Sequence, residues 1–349
     1  MKKLLSIIVS MVMLSGLLAG CSSAPAATTA ATTAATTAAA TTTAKAATEA
    51  TTAAATTASG KVFKVGYCIN NFNDTFQTYI EKAVEDYIKV NPDLTLVTAD
   101  AQEDVIKQQD QVNTFIAQGV DALIVVPVDT SAMDAITKAA QDAKIPLCYV
   151  NRNPYSGKED TMPKGVYYVG SQEIKAGQMQ MEYAGKLLAG KGGICILEGQ
   201  LTNEGAVKRT QGVQDTATAK FPDIKILALE TGNWQRDQGM SLTENWITKF
   251  GDKLNCVLAN NDEMALGAVE ALQAAGRTDV IVMGVDAIPD ALQAVKDGTL
   301  AGTVLQDAVG QGQGSIKVVQ SVLKGGTSDS VIWIDFQLVT PENIATYLK

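Results

Sequence analysis

From residue 61 onward, short apolar runs alternate with stretches whose apolar residues recur every third or fourth position. The runs 63–69, 94–98, 122–127, 145–150 and 166–169 read as one set of strands, and 193–197, 224–229, 254–258, 280–285 and 300–305 as a second. Between them, Phe76, Ile80, Ala83 and Tyr87 share a helical face, as do Val105, Val112, Phe115 and Ile116, and Met179, Tyr183 and Leu187. Continuously apolar strands separated by amphipathic helices predict parallel sheets covered on both faces. Ten such strands are many for one compact sheet and natural for two. The pattern therefore predicts an α/β protein with two doubly wound parallel-sheet lobes and a boundary near residues 170–173.

Polar residues fall where these strands end. The run Cys256-Val257-Leu258 is broken by Asn260, Asn261 and Asp262, and good helix formers begin at Glu263. Asp262 is the expected N-cap, because its carboxylate can accept from the free N–H groups of the first turn. Asn261 then stands at the carboxyl end of a parallel strand, where open α/β sheets bind ligands. The arrangement recurs. Asn70, Asn71, Asn73 and Asp74 follow the first strand, with Phe76 opening the next helix. Asn151-Arg152, Glu198, Asp286 and Gln306-Asp307 end four others. Parallel sheets would gather these ends at a cleft between the lobes. Neutral and anionic acceptors with a few guanidinium donors match hydroxyl groups, which both donate and accept. A phosphate ligand would call for a Walker-type loop, and none is present. Gly310-x-Gly312-x-Gly314 has the wrong spacing for a dinucleotide fingerprint and falls in a helical stretch.

Composition narrows the chemistry. A net charge of -9 offers no basic surface for nucleic acid. The absence of histidine excludes a Ser-His-Asp or Cys-His site in this chain and removes the commonest zinc ligand. No two of the five cysteines form a CxxC pair. Cys68, Cys148, Cys195 and Cys256 lie in apolar strand-like runs and are expected to be small buried hydrophobes. Cys21 differs. Two lysines, an apolar stretch over 4–18 and Leu18-Ala19-Gly20-Cys21 resemble a bacterial lipoprotein signal and its cleavage box. The resemblance implies removal of residues 1–20 and lipidation of Cys21. Residues 22–60 are nearly all Ala and Thr, the composition of a tether whose ends lie roughly 30–40 Å apart as a flexible coil. A long tether suits a Gram-positive exterior better than a periplasm.

The run from Asn260 to Ala268, taken with Gly284-Val285-Asp286-Ala287-Ile288-Pro289-Asp290, resembles the periplasmic sugar-binding proteins of the ribose and galactose type. Asp74-Thr75-Phe76, the run from Asn203 to Thr210, Trp234 and the run from Gly302 to Ala308 are most similar to the galactose/glucose-binding kind. The similarity spans residues 62–348. It implies two lobes joined by a hinge, 61–170 with about 308–334 and 171–307 with about 335–349. It also implies a receptor that closes on one monosaccharide and hands it to an ABC importer. Phe76 and Trp234 would sandwich the sugar ring. Asp74, Asn151, Arg152, Asn203, Arg209, Asn261, Asp286 and Gln306 would surround its edge. Hydrogen bonds to the charged members would contribute about 1.5–3 kcal/mol each.

Four positions depart from the galactose pattern. Asn203 and Gly205 replace a His and an Asp, Gln306 stands for Asn as in the ribose type, and Arg152 stands for Lys. The stretch 188–193 lacks the carboxylates of that type's calcium loop, so no metal or cofactor is expected. Structural roles compete at individual positions: a core aromatic at Trp234 or Phe76, a helix cap at Asp286, a surface ion pair at Arg209. Two other functions stand beside transport of a galactose- or glucose-like hexose. One is a receptor for a sugar-like signal presented to a membrane sensor. The other is a glycoside hydrolase using Asp74 and Asp286 as paired carboxylates. A monomer is expected.

Overall fold

The computed structural model describes residues 60–348. The first half runs β1 (Phe63–Ile69), α1 (Thr75–Lys89), β2 (Leu94–Asp100), α2 (Val105–Ala117), β3 (Ala122–Val125), α3 (Asp134–Ala143), β4 (Leu147–Val150) and β5 (Val166–Gly170). The second half repeats the rhythm: α4 (Glu173–Leu187), β6 (Lys191–Glu198), α5 (Glu204–Lys220), β7 (Asp223–Thr231), α6 (Arg236–Phe250), β8 (Leu254–Ala259), α7 (Asp262–Ala274), β9 (Ile281–Asp286), α8 (Pro289–Lys296) and β10 (Gly302–Leu305). Then follow α9 (Ala308–Leu323), β11 (Val331–Trp333) and β12 (Gln337–Val339).

The strands form two sheets, ordered β11-β5-β4-β3-β1-β2 and β12-β10-β9-β8-β6-β7. Shifting the strand numbers by five turns the inner order of one sheet into that of the other. Every pairing in the first sheet is parallel. In the second, only β12 runs antiparallel, against β10. Apolar clusters cover the first sheet around Val65, Ile124 and Ile316 and around Leu123, Tyr149 and Ile136. Those of the second centre on Val257, Leu272 and Val282 and on Ile194, Val213 and Leu258. This is the two-lobed α/β architecture expected from the pattern.

The chain passes between sheets three times: after β5, between β10 and α9, and between β11 and β12. α9 returns to pack on the first sheet, burying Ile316, Val318 and Val319 there. The three-residue strands β11 and β12 were not among the ten expected. They are too short to show a period, and pairing with β5 and β10 defines them. The expected strands at 122–127, 145–150 and 300–305 are trimmed by up to two residues, whereas β2 and β7 run two residues further.

Side chains start five helices by accepting from first-turn N–H groups: Asp74 for α1, Asp104 for α2, Asn203 for α5, Asn261 for α7 and Asp307 for α9. The cap expected at Asp262 is thus one residue too late. Asn261 has the extended backbone a cap requires, and its Oδ1 accepts from Met264 N at 3.0 Å. Asp262 is already helical and fully buried. It accepts from Thr303 Oγ1 at 2.7 Å and Ile288 N at 3.0 Å, tying α7 to β10 and to the start of α8.

Helices α4 and α5 meet backbone to backbone. A Cβ added at Gly177 would overlap the Arg209 carbonyl oxygen, and one at Gly212 would overlap that of Ile174. This close approach sets the position of Arg209. Cys68, Cys148, Cys195 and Cys256 are buried free thiols, packed as the apolar runs predict. Cys21 and the leader and tether expected over 1–60 lie outside the described residues, apart from Gly60.

Candidate functional site

The carboxyl ends of the two sheets border a small cavity between the lobes. Asp74, Phe76, Asn151, Arg152, Asn203, Arg209, Trp234, Asn261, Asp286 and Gln306 all line it, joined by Gln77. The structure therefore brings all ten expected residues to one place. Outside it a wider mouth is bordered by Thr75, Glu103, Gln200, Arg236 and Glu263. At the lips, Thr75 Oγ1 donates to Glu263 Oε1 at 3.0 Å, and Thr130 N donates to Thr202 O at 3.0 Å. Both contacts join segments of opposite sheets, so the lobes stand closed over the cavity.

Local backbone directs these side chains. Asn151, Trp234 and Asp286 have φ of 65°, 68° and 127°, conformations that L-residues rarely adopt. Such outliers concentrate at ligand sites. Asn261 steadies one of them, since its Nδ2 donates to the Trp234 carbonyl at 3.2 Å. Phe76 is buried in the first turn of α1, placed by the Asp74 cap.

Two buried arginines supply the cationic groups. Arg209 Nε donates to Glu173 Oε2 at 2.6 Å and Nη1 to Asn260 O at 2.6 Å, with Asp286 Oδ1 at 3.9 Å. Its guanidinium lies 5.8 Å from the Trp234 ring centre and 5.9 Å from that of Phe336. Arg152 Nη1 donates to Pro127 O at 3.0 Å, and Nη2 pairs with Asp74 Oδ2 at 3.3 Å. Burial pushes the Asp286 carboxyl well above the ordinary range, although the Arg209 guanidinium pulls it back. Burial raises Glu173 too, again against Arg209.

A chain of amides links the sheets beneath the cavity. Gln77 Nε2 donates to Asn151 Oδ1 at 2.7 Å, and Asn151 Nδ2 donates to Gln306 Oε1 at 3.1 Å and Gln311 Oε1 at 3.0 Å. Gln306 Nε2 then donates to Asp286 Oδ1 at 2.6 Å. Gln311 Nε2 reaches Ser171 Oγ at 3.4 Å, beside the first crossing between lobes. Sequence reasoning missed Gln77, Gln311 and Glu173. The available signal was a polar residue on an apolar helix face, most plainly Gln77 directly after Phe76. Among the described residues no group of three or more carboxylates and cysteines is placed to hold a metal ion.

With this geometry in view, likeness to known proteins is informative. Residues 65–327 match the periplasmic binding protein domain family. A putative rhizopine-binding protein of Rhizobium meliloti is 44% identical over 286 residues, covering 81% of this chain and 92% of that protein. A xylitol-binding protein of Mycolicibacterium smegmatis is 37% identical over 268 residues, covering 77% and 74%. The crystal structure of an ABC transporter solute-binding protein from Bacillus halodurans with bound myo-inositol superposes with a TM-score of 0.77 at 39% identity, covering 83% of this chain and 99% of that one. The chain belongs to the periplasmic binding protein family, among its sugar-binding transport receptors of type I fold. It is a binding protein, not an enzyme.

Proposed function

We propose that this protein captures a hydroxylated six-membered ring, a cyclitol of the myo-inositol kind or a related pyranose, and delivers it to the membrane subunits of an ABC importer. The observation that carries this reading is the cavity itself. Two aromatic residues, two arginines, two carboxylates and a set of amides converge between sheets that the chain connects three times. The aromatic faces suit the C–H surfaces of a ring, and the polar set suits its hydroxyl edge. In this reading the ten lining residues contact the ligand or hold those that do. The lobes are 61–170 with about 308–334 and 171–307 with about 335–349, and they rotate about the three crossings. Lipidated Cys21 and the Ala/Thr segment tether the monomer to the outer face of the membrane.

The expected galactose- or glucose-like ligand widens here to a cyclitol. The relatives with 44% and 39% identity are described with rhizopine and myo-inositol, and neither as a galactose receptor. Asn203 and Gly205, which replace residues of the galactose pattern, point the same way. A thermal-shift screen of the purified protein with myo-inositol, xylitol, ribose, galactose and glucose tests the reading. A ligand at a thousandfold excess over its Kd adds about 4 kcal/mol of stability, a rise on the order of 10 °C or less for a protein of this size. The largest shift should come from myo-inositol. A shift with galactose alone would return the assignment to hexoses, and no shift with any polyol would remove the sugar reading.

A further inference from the structure

The amide chain under the cavity has a direction, and the direction has an outcome at its far end. Asp286 Oδ1 faces the Arg209 guanidinium, with Nη1 at 3.9 Å, so a proton on the acid belongs on its other oxygen; Oδ1 accepts, and Gln306 presents Nε2 to it at 2.6 Å. That leaves Gln306 Oε1 toward Asn151, which must answer with Nδ2. Gln311 reinforces this choice, since its Oε1 also accepts from Asn151 Nδ2 at 3.0 Å. Asn151 Oδ1 is then turned to Gln77, and Gln77 must donate through Nε2. Gln77 ends the chain with an acceptor, Oε1. This atom is buried without a protein partner, on a residue that is 3% exposed and lines the cavity. Leaving a buried amide oxygen unpaired is costly unless something bonds it.

We infer that Gln77 is a specificity-determining residue of the ligand site, its Oε1 accepting a hydrogen bond from one hydroxyl of the bound polyol. The inference rests on the polyol reading of the cavity and extends it. The side chains of Asn151 and Gln306 make their hydrogen bonds within the protein. Their part is to hold the chain in one orientation. Gln77 reads the ligand, and a hydroxyl that donates is preferred at this point over an ether oxygen or a bare methylene.

Isothermal titration of the full protein tests this with myo-inositol and its monodeoxy series, and in parallel with D-glucose and its monodeoxy series. Gln77→Met removes both amide functions and is expected to weaken myo-inositol binding about tenfold. One monodeoxy compound should bind wild type about tenfold more weakly than the parent, yet bind wild type and Gln77→Met alike. Gln77→Glu retains an acceptor while losing the donor to Asn151, so it should still distinguish that deoxy compound from the parent. Equal loss in Gln77→Met across the whole series would overturn the inference, because support of Asn151 alone acts on every ligand equally. So would a Gln77→Glu protein that discriminates no better than Gln77→Met. Wild type that responds to the glucose series but not to myo-inositol sinks the cyclitol reading and leaves Gln77 to be judged on the glucose compounds. Binding of neither series overturns both.

Discussion

The two lobes share a strand order and differ in how they hold charge. Asn151 directly follows β4 and Asp286 ends β9, strands that occupy equivalent places in the two sheets, and each residue has positive φ. One is an amide fixed by amides, the other a carboxylate beside a guanidinium. The arginines differ in the same sense. Arg152 pairs with Asp74 and Glu103, whose side chains keep 19% and 24% of their exposure. Arg209 pairs with Glu173, which keeps 2%. The repeated topology thus sets where polar groups gather, while burial decides what each costs to disturb. The second lobe carries its charges where water cannot replace a lost partner.

The largest effect expected from this difference is at Arg209. Arg209→Met strands Glu173 in the interior and should destabilise the protein by about 3–5 kcal/mol in denaturant unfolding. Arg152→Met should cost less, because water can reach its carboxylates. Equal losses would show that electrostatic burial does not separate the lobes. Next in size is Gly177→Ala, expected to cost about 1–3 kcal/mol through forced repacking. Because the overlap falls on the Arg209 backbone, ligand affinity should drop along with the melting temperature.

A third difference appears with pH. Burial raises Asp262 in the second lobe from 3.8 to about 7, with Thr303 and the backbone of Ile288 opposing. The folded protein then holds a proton that the unfolded chain releases, so this group's stabilisation is complete below pH 3.8 and is lost as pH rises through about 7. Melting temperatures from pH 4 to 8 should fall across that window, and Asp262→Asn should flatten the decline. Glu81 in the first lobe is also raised to about 7, by burial and by Glu85, but it is half-exposed and contributes less. The smallest effect belongs to the lip. Thr75→Val removes the bond to Glu263 that joins the closed lobes, and affinity should weaken by about 1 kcal/mol, several-fold in Kd by titration. An unchanged Kd would mean that the lip contact contributes nothing to closure.

Much of this was legible in the chain. The ten long strands announce themselves because parallel strands are apolar on both faces. Asn151, Asn261, Asp286 and Gln306 stand at or just past strand ends, where polarity breaks an apolar run, whereas Arg209 on α5 and Trp234 stood out only through the family resemblance. Three kinds of feature were not legible. β11 and β12 are three residues each, and their pairing partners lie far away in sequence. The choice of Asn261 over Asp262 as cap depends on Thr303, a partner 41 residues on that claims the carboxylate. Gln77 shows in the sequence only as a polar interruption of an apolar helix face, and its role appears when Asn151, 74 positions later, is seen to orient its amide. What escapes sequence reading in each case is a partner that only folding supplies.

The placement of the aromatic residues has an optical consequence. The protein has three tryptophans. Trp246 is sealed in the second lobe, with Nε1 donating to Glu230, and Trp333 sits half-exposed on β11. Trp234 alone lines the cavity, with its indole Nε1 unpaired. A ligand entering the cleft changes the surroundings of that one fluorophore while the other two hold a constant background. The protein carries its own unlabelled reporter of occupancy, and Trp333→Phe, at an exposed position on β11, would lower the background.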